Sequence, residues 1–211
     1  MDAYRLAEDL FISVTPAGAY YAVSGPEEEP SRQLLRTLLQ QERTPALTLN
    51  SLKTWTVSES DEQALELLYH TQRLGWVEGL ERQKQAPGGA LEDIIPNLLA
   101  PLSGTGKALL ADAQGFYVSA QGFAHETAEE LSALSADIAS LHERHRGLLG
   151  SNLGLATDAW ALIDASGNSQ VGFWPLFVGE QRFVLVLEGV PHFNQPALAT
   201  LIWALNARYG S

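Results

Sequence analysis

The chain has 211 residues, 45% of them hydrophobic and 18% charged, with a formal net charge of −12, a composition that fits one large or two small globular domains and excludes disorder. Residues before and after position 90 both carry more Asp and Glu than Lys and Arg, so neither half offers the cationic surface from which nucleic-acid affinity comes. The sequence contains no cysteine, which excludes disulfides, thiol catalysis and thiolate metal sites.

No run reaches the ~20 apolar residues of a membrane span, and Met1-Asp2-Ala3-Tyr4-Arg5 lacks the basic and apolar regions of a secretory signal. A cytoplasmic protein without membrane insertion is expected. Gln83-Lys84-Gln85-Ala86-Pro87-Gly88-Gly89-Ala90 punctuates two periodic regions, which predicts a module over 1–86 and a domain over 87–211.

The first half opens with "LFISVTPAGAYYAVSG". Two β-rich runs flank Thr15-Pro16-Ala17-Gly18, where Pro and Gly suit a type I turn, and the pattern predicts a β-hairpin. Ser31 is the expected cap of a helix carrying Leu34, Leu35, Leu38 and Leu39 on one stripe. A short helix is predicted over 51–55 after Asn50 as cap. A third has Ser60 and Gln63 as a capping box and Gly75 as its stop, with Trp76-Val77 resuming as strand.

Three helices and a strand ending "QRLGWVE" resemble a winged-helix domain over roughly residues 31–82. In that family the third helix often enters the DNA major groove. Here it carries Asp61, Glu62 and Glu66 against Arg73 as its only full positive charge, so the resemblance implies docking of protein rather than DNA.

The second half reads helix, hairpin, long helix, three strands, helix. "LEDIIPNLLA" (91–100) predicts a helix that Pro96 kinks or shortens. "ALLADAQGFYVSAQGF" (108–123) predicts a hairpin around Asp112-Ala113-Gln114-Gly115. A long helix is predicted over 126–149, then strands over 159–164, 170–178 and 181–189, the last two joined tightly through Gly179-Glu180. A final helix enters at Pro196 and stops at Gly210.

This order, with "LLADAQGFYVSAQG", "LIDASGNSQVGFWPL" and "RFVLVLEG" at its strands, resembles the roadblock (dynein light chain) family over about 91–211. The implied fold is α+β: a five-stranded antiparallel sheet flanked by helices, preceded by the winged-helix-like module.

Catalytic signatures are missing. Gly106-Lys107 is no phosphate loop, because Pro101 stands at the first glycine position, Ala108 at the hydroxyl position, and a strand follows where a helix should. Gly104 and Gly106 then simply end a helix and launch a strand. His142 and His145 share a helix face with Asp137 and Glu143 near, yet no third ligand stands at a recognisable spacing. No Gly-x-Ser-x-Gly elbow occurs. No catalytic residue, metal or cofactor is predicted.

On the long helix, Leu131, Leu134, Ile138, Leu141, His145 and Leu148 form an apolar seam expected to face the core. Beside it runs a line of small residues, Ala128, Ser132, Ser135 and Ala139, and residues 131–142 carry Asp137 as their only charge. A low-charge face of small side chains suggests a protein interface. Roadblock domains commonly homodimerise through this helix and the next strand, so the resemblance implies a dimer surface of Ala128, Ser132, Ser135, Ala139 and Trp160.

Bacterial and archaeal members look like regulators of small Ras-like GTPases, which themselves hold the nucleotide and catalytic groups. The expected function is a non-enzymatic regulator or scaffold. Two alternatives are a winged-helix transcription regulator and a small-ligand sensory domain whose pocket Phe116, Tyr117, Trp160, Phe173 and Trp174 would line.

Overall fold

A computed structural model describes residues 6–7 and 9–210. The first half begins with β1 (Phe11–Val14) and α1 (Pro16–Val23). The predicted hairpin is therefore a strand followed by a helix. Thr15 accepts the Gly18 N–H and Pro16 occupies the first turn, so the same Thr-Pro pair that reads as a turn serves as a helix start. Gly18 is required by close approach: a Cβ there would lie 2.1 Å from the Trp76 carbonyl oxygen.

Helices α2 (Pro30–Leu39), α3 (Leu49–Thr56) and α4 (Asp61–Arg73) follow. The cap of α2 is Glu29 rather than Ser31, since Pro30 takes the first helical position. Thr48 caps α3 in place of Asn50 by accepting the Ser51 N–H. The cap of α4 is as expected, Ser60 accepting the Gln63 N–H. β2 (Val77–Leu80) returns antiparallel to β1, and Phe11 also bridges to Ala46 between α2 and α3.

In the second half α5 (Leu91–Leu99) runs through Pro96 and gives way to a 3₁₀ turn, Ala100–Leu102. Then come β3 (Ala108–Ala111), β4 (Tyr117–Gln121), α6 (His125–Arg144), a π-helical turn Gly147–Asn152, β5 (Trp160–Ile163), β6 (Ser169–Val178), β7 (Gln181–Glu188) and α7 (Pro196–Tyr209). The strands form one antiparallel sheet in the order β4-β3-β7-β6-β5. The architecture is mixed α/β with a five-stranded antiparallel sheet and helices on its faces.

Alternation along β6 and β7 sorts the core. Trp174, Leu176, Val178, Phe183, Leu185 and Leu187 face α5 and α7, while Phe173, Val184 and Val186 face α6. Gly179 in the β6–β7 turn adopts φ +54° and packs so tightly on the Tyr209 carbonyl that a Cβ would lie 2.1 Å from it. The first cluster continues into α1, α2, α3 and α4, so the two halves share one buried core rather than meeting only at the linker. Trp203 Nε1 donates to the Gln41 carbonyl at 2.8 Å, and Tyr20 and Phe193 rings meet at 4.9 Å across the same seam.

Candidate pairing surface

Helix α6 lies on the sheet by the face opposite to the one expected. Ala128, Ser132, Ser135 and Ala139 are buried, between 0 and 9% exposed, and Ala128 packs among Leu109, Ala111, Phe173, Val184 and Val186. These four residues are covered within the protomer and are not a free interface. The physical reason is the approach that small side chains allow: they bring the helix backbone down onto the strands. The hydroxyls lose nothing by burial, because Ser132 Oγ donates to the Ala128 carbonyl and Ser135 Oγ to the Ser132 carbonyl, each at 2.7 Å.

The leucine seam is correspondingly turned outward. Leu131 and Ile138 are half-buried at the margin of the sheet-facing side, whereas Leu134 (41%), Leu141 and Leu148 are exposed. Leu153 and Leu155, beyond the π-helical turn, are exposed as well.

β5, whose Trp160 reaches His142 of α6, is the sheet edge. Among the described residues it pairs with β6 alone. Leu162 is 62% and Ile163 65% exposed. Leu162 stands opposite Val171, and Trp160 opposite Phe173, so Trp160 and Leu162 lie on the α6 side of the sheet. An unpaired edge bearing two bare aliphatic side chains is a template for another strand. The other edge, β4, carries the half-buried Tyr117 and Val118 and lies against α5.

Trp160 is half-buried and tied to α6. Its indole N–H donates to His142 Nδ1 at 3.0 Å, and His142 Nε2 lies 2.9 Å from Asp158 Oδ1. Asp158 Oδ2 is 4.0 Å from Arg146, which also pairs with Glu143 at 2.7 Å; that hydrogen bond holds the Arg146 guanidinium above its ordinary value. Both His142 nitrogens are thereby engaged, and His145 points elsewhere, exposed. The two do not converge. Sequence reasoning missed Asp158 and the role of His142, and nothing in the spacing of residues 142, 158 and 160 signals them; the loop back from α6 brings them together.

A cavity of about 80 Å³ opens beside this network, walled by Ile138, Phe173, Pro175, Phe177 and Arg182. The aromatic residues expected to line one pocket do not share it. Phe173 and Trp174 face opposite sides of the sheet, and Phe116 is exposed at the β3–β4 turn. Around Lys107 the geometry is that of a braced turn, with Ser103 Oγ accepting the Thr105 and Lys107 N–H groups and Lys107 Nζ held 3.1 Å from Glu188. In the first half, α4 exposes Asp61, Glu62 and Glu66, with Asp61 2.9 Å from Lys53. Among the described residues no helix is long and apolar enough to cross a membrane.

No protein-family model matches the sequence, and no curated protein matches it. Among solved structures, similarity lies in a roadblock/LC7 domain from Streptomyces avermitilis, at 15% identity and TM-score 0.39, covering 54% of this chain and 92% of that one. MglB of Myxococcus xanthus matches at 18% identity and TM-score 0.32, covering 53% of this chain and 84% of that one. The gliding protein MglB of Thermus thermophilus matches at 18% identity and TM-score 0.36, covering 59% of this chain and 94% of that one.

Proposed function

We propose that this chain is a non-enzymatic regulatory or scaffold protein that pairs with a second copy of itself through the outer face of α6 and the β5 edge. The observation that carries the reading is the continuity of two unsatisfied surfaces. Leu134 and Leu141 leave an apolar face of α6 in water, with Leu148 just beyond its end, and Leu162 leaves an apolar side chain on the same side of the β5 edge, which Trp160 ties to α6 through His142. A two-fold axis perpendicular to the sheet at the β5 edge would satisfy both at once: edge pairs antiparallel with edge, and each helix face meets its symmetry mate. Trp160 keeps its place in this interface as the residue that anchors the strand. Ala128, Ser132, Ser135 and Ala139 act beneath it, by seating α6 on the sheet.

The protein partner is a small Ras-like GTPase, as the roadblock resemblance of residues 87–211 implies, with the chemistry of hydrolysis left to that partner. Residues 1–86 serve as a winged-helix-like module. Helices α2, α3 and α4 with the β1–β2 antiparallel ribbon support that assignment, α1 being additional to them, and the acidic exposed side of α4 suits a protein surface better than phosphate.

Sedimentation equilibrium of the full chain tests the pairing. A dimer at micromolar concentration supports it and a clean monomer overturns it. Affinity capture from native lysate, followed by GTP hydrolysis assays with any small GTPase recovered, tests the partner. Recovery of none removes that part of the reading.

A further inference from the structure

Trp160 opens the exposed edge strand, yet its polar atom is spent inward. An indole N–H only donates. It donates to His142 Nδ1, so that nitrogen carries a lone pair and the ring proton sits on Nε2, facing Asp158 Oδ1 at 2.9 Å. The pair of bonds is satisfied only by a neutral imidazole of this tautomer. The ring is buried, and no rotation of it offers Trp160 a different acceptor while keeping Asp158.

A second proton has one place to go, Nδ1, where it turns an acceptor into a donor that faces another donor. The surrounding charges decide which contact then breaks. Asp158 lies against Nε2 and draws the imidazolium toward itself. Glu143 on α6 and Arg146 just beyond its end pair with each other, Arg182 on β7 lies across the small cavity, and Tyr20 on α1 stands in the field of Asp158. Glu27 in the α1–α2 loop acts on Arg146. The Trp160 indole donates to His142 and is not held by any of these groups. Asp158 keeps the ring, and Trp160 is released.

We propose that His142 is a proton-operated latch on the β5 edge: when neutral it holds Trp160 and the strand in position to pair with a second copy, and when protonated it frees Trp160 and weakens that pairing. The inference rests on the pairing reading above and adds its regulation. Imidazole is the side chain whose ordinary charge change falls between about pH 5 and pH 8, which sets the pH range of the test.

The test is the dimer dissociation constant of the full chain by sedimentation velocity, at about pH 7.5 and about pH 5.5. One neutral hydrogen bond lost in each protomer weakens the dimer about tenfold at the lower pH. His142→Gln presents a carbonyl to Trp160 and an amide N–H₂ to Asp158 without titrating, and Trp160→Phe keeps a ring while deleting the donor. Both variants are expected to pair with one affinity at the two pH values. A wild-type dimer whose strength ignores pH, or a His142→Gln dimer that keeps the wild-type dependence, overturns the proposal. The indole N–H resonance of Trp160, assigned by its loss in Trp160→Phe, separates the two readings. In a protein monomeric at every pH the pairing reading fails, and a resonance that still moves between the two pH values supports the latch. A resonance that does not move overturns it.

Discussion

Replacing Leu162 by Ala isolates the pairing surface from the fold. Full burial of a leucine side chain is worth about 2 kcal/mol. Leu162 keeps 62% of its surface in water, so pairing recovers about 1.2 kcal/mol per protomer on that scale. A two-fold interface counts each residue twice, which makes the loss about 2.5 kcal/mol per dimer and the dissociation constant about 60-fold larger. The rest of the side chain is already buried, so the unpaired protomer loses about 0.8 kcal/mol on the same scale. Sedimentation equilibrium over a concentration series gives the constant, and thermal unfolding well below it gives the protomer's own stability. An unchanged constant refutes the assignment of β5 to the interface. A marked loss of protomer stability refutes the premise that Leu162 is free within one chain.

Ser135→Leu acts on the opposite side of α6. The site is 1% exposed between helix and sheet, so the added volume destabilises the protomer by about 1–3 kcal/mol, visible as a lower unfolding midpoint in urea; a neutral outcome means that the helix sits by another face. The phenol of Tyr20 is pushed up from 10.0 to about 12, by burial first and the charge of Asp158 second. Below pH 10 both states keep it neutral. Above that the unfolded chain ionises and the folded one resists, so stability falls between about pH 10 and pH 12, by about 2–3 kcal/mol. Alkaline titration monitored by circular dichroism measures the slope, and Tyr20→Phe is expected to flatten it.

The strands and helices of the second half were legible because each is bounded by strong punctuation. Asp112 and Gly115 set the first hairpin, with Asp112 Oδ1 accepting the Gln114 and Phe116 N–H groups at 2.9 Å, and Gly179 closes the last. The Thr15-Pro16 stretch misled because a type I turn and a helix start make the same local demand: fixed φ at Pro16 and a side-chain acceptor at Thr15. Only the nonlocal packing of Gly18 on Trp76 separates the two.

The reversal on α6 has a deeper cause. Reading leucines as core and small residues as surface assumes one buried face, whereas this helix is apolar on two. Close approach to the sheet favours Ala and Ser, so the bulky stripe is left outside, where a second chain can use it. Periodicity reports that both stripes exist and is silent on their order. The His142 network was invisible for another reason, since residues 142, 158 and 160 meet only after the chain has turned back from the helix to the sheet edge.

The halves also illustrate what a linker does not prove. Pro87-Gly88-Gly89 marks a change of pattern, yet α1 and α2 pack on α7, and Trp174, Phe193 and Trp203 form the seam. A fragment of residues 87–211 would uncover that seam: the Trp203 indole loses the Gln41 carbonyl 2.8 Å away, and Phe193 loses Tyr20. Exposing two or three large aromatic side chains costs about 4–8 kcal/mol, comparable with the roughly 5–15 kcal/mol that holds a typical domain. The fragment is therefore expected to aggregate or to lose its cooperative unfolding transition, while the full chain keeps both solubility and transition under the same conditions. A soluble fragment with the midpoint of the full chain would show that the seam contributes little and that the two halves fold apart. The expected failure has a functional corollary. With the α5–α7 side of the sheet closed by residues from the first half, the apolar surface left to a second chain is the α6–β5 side.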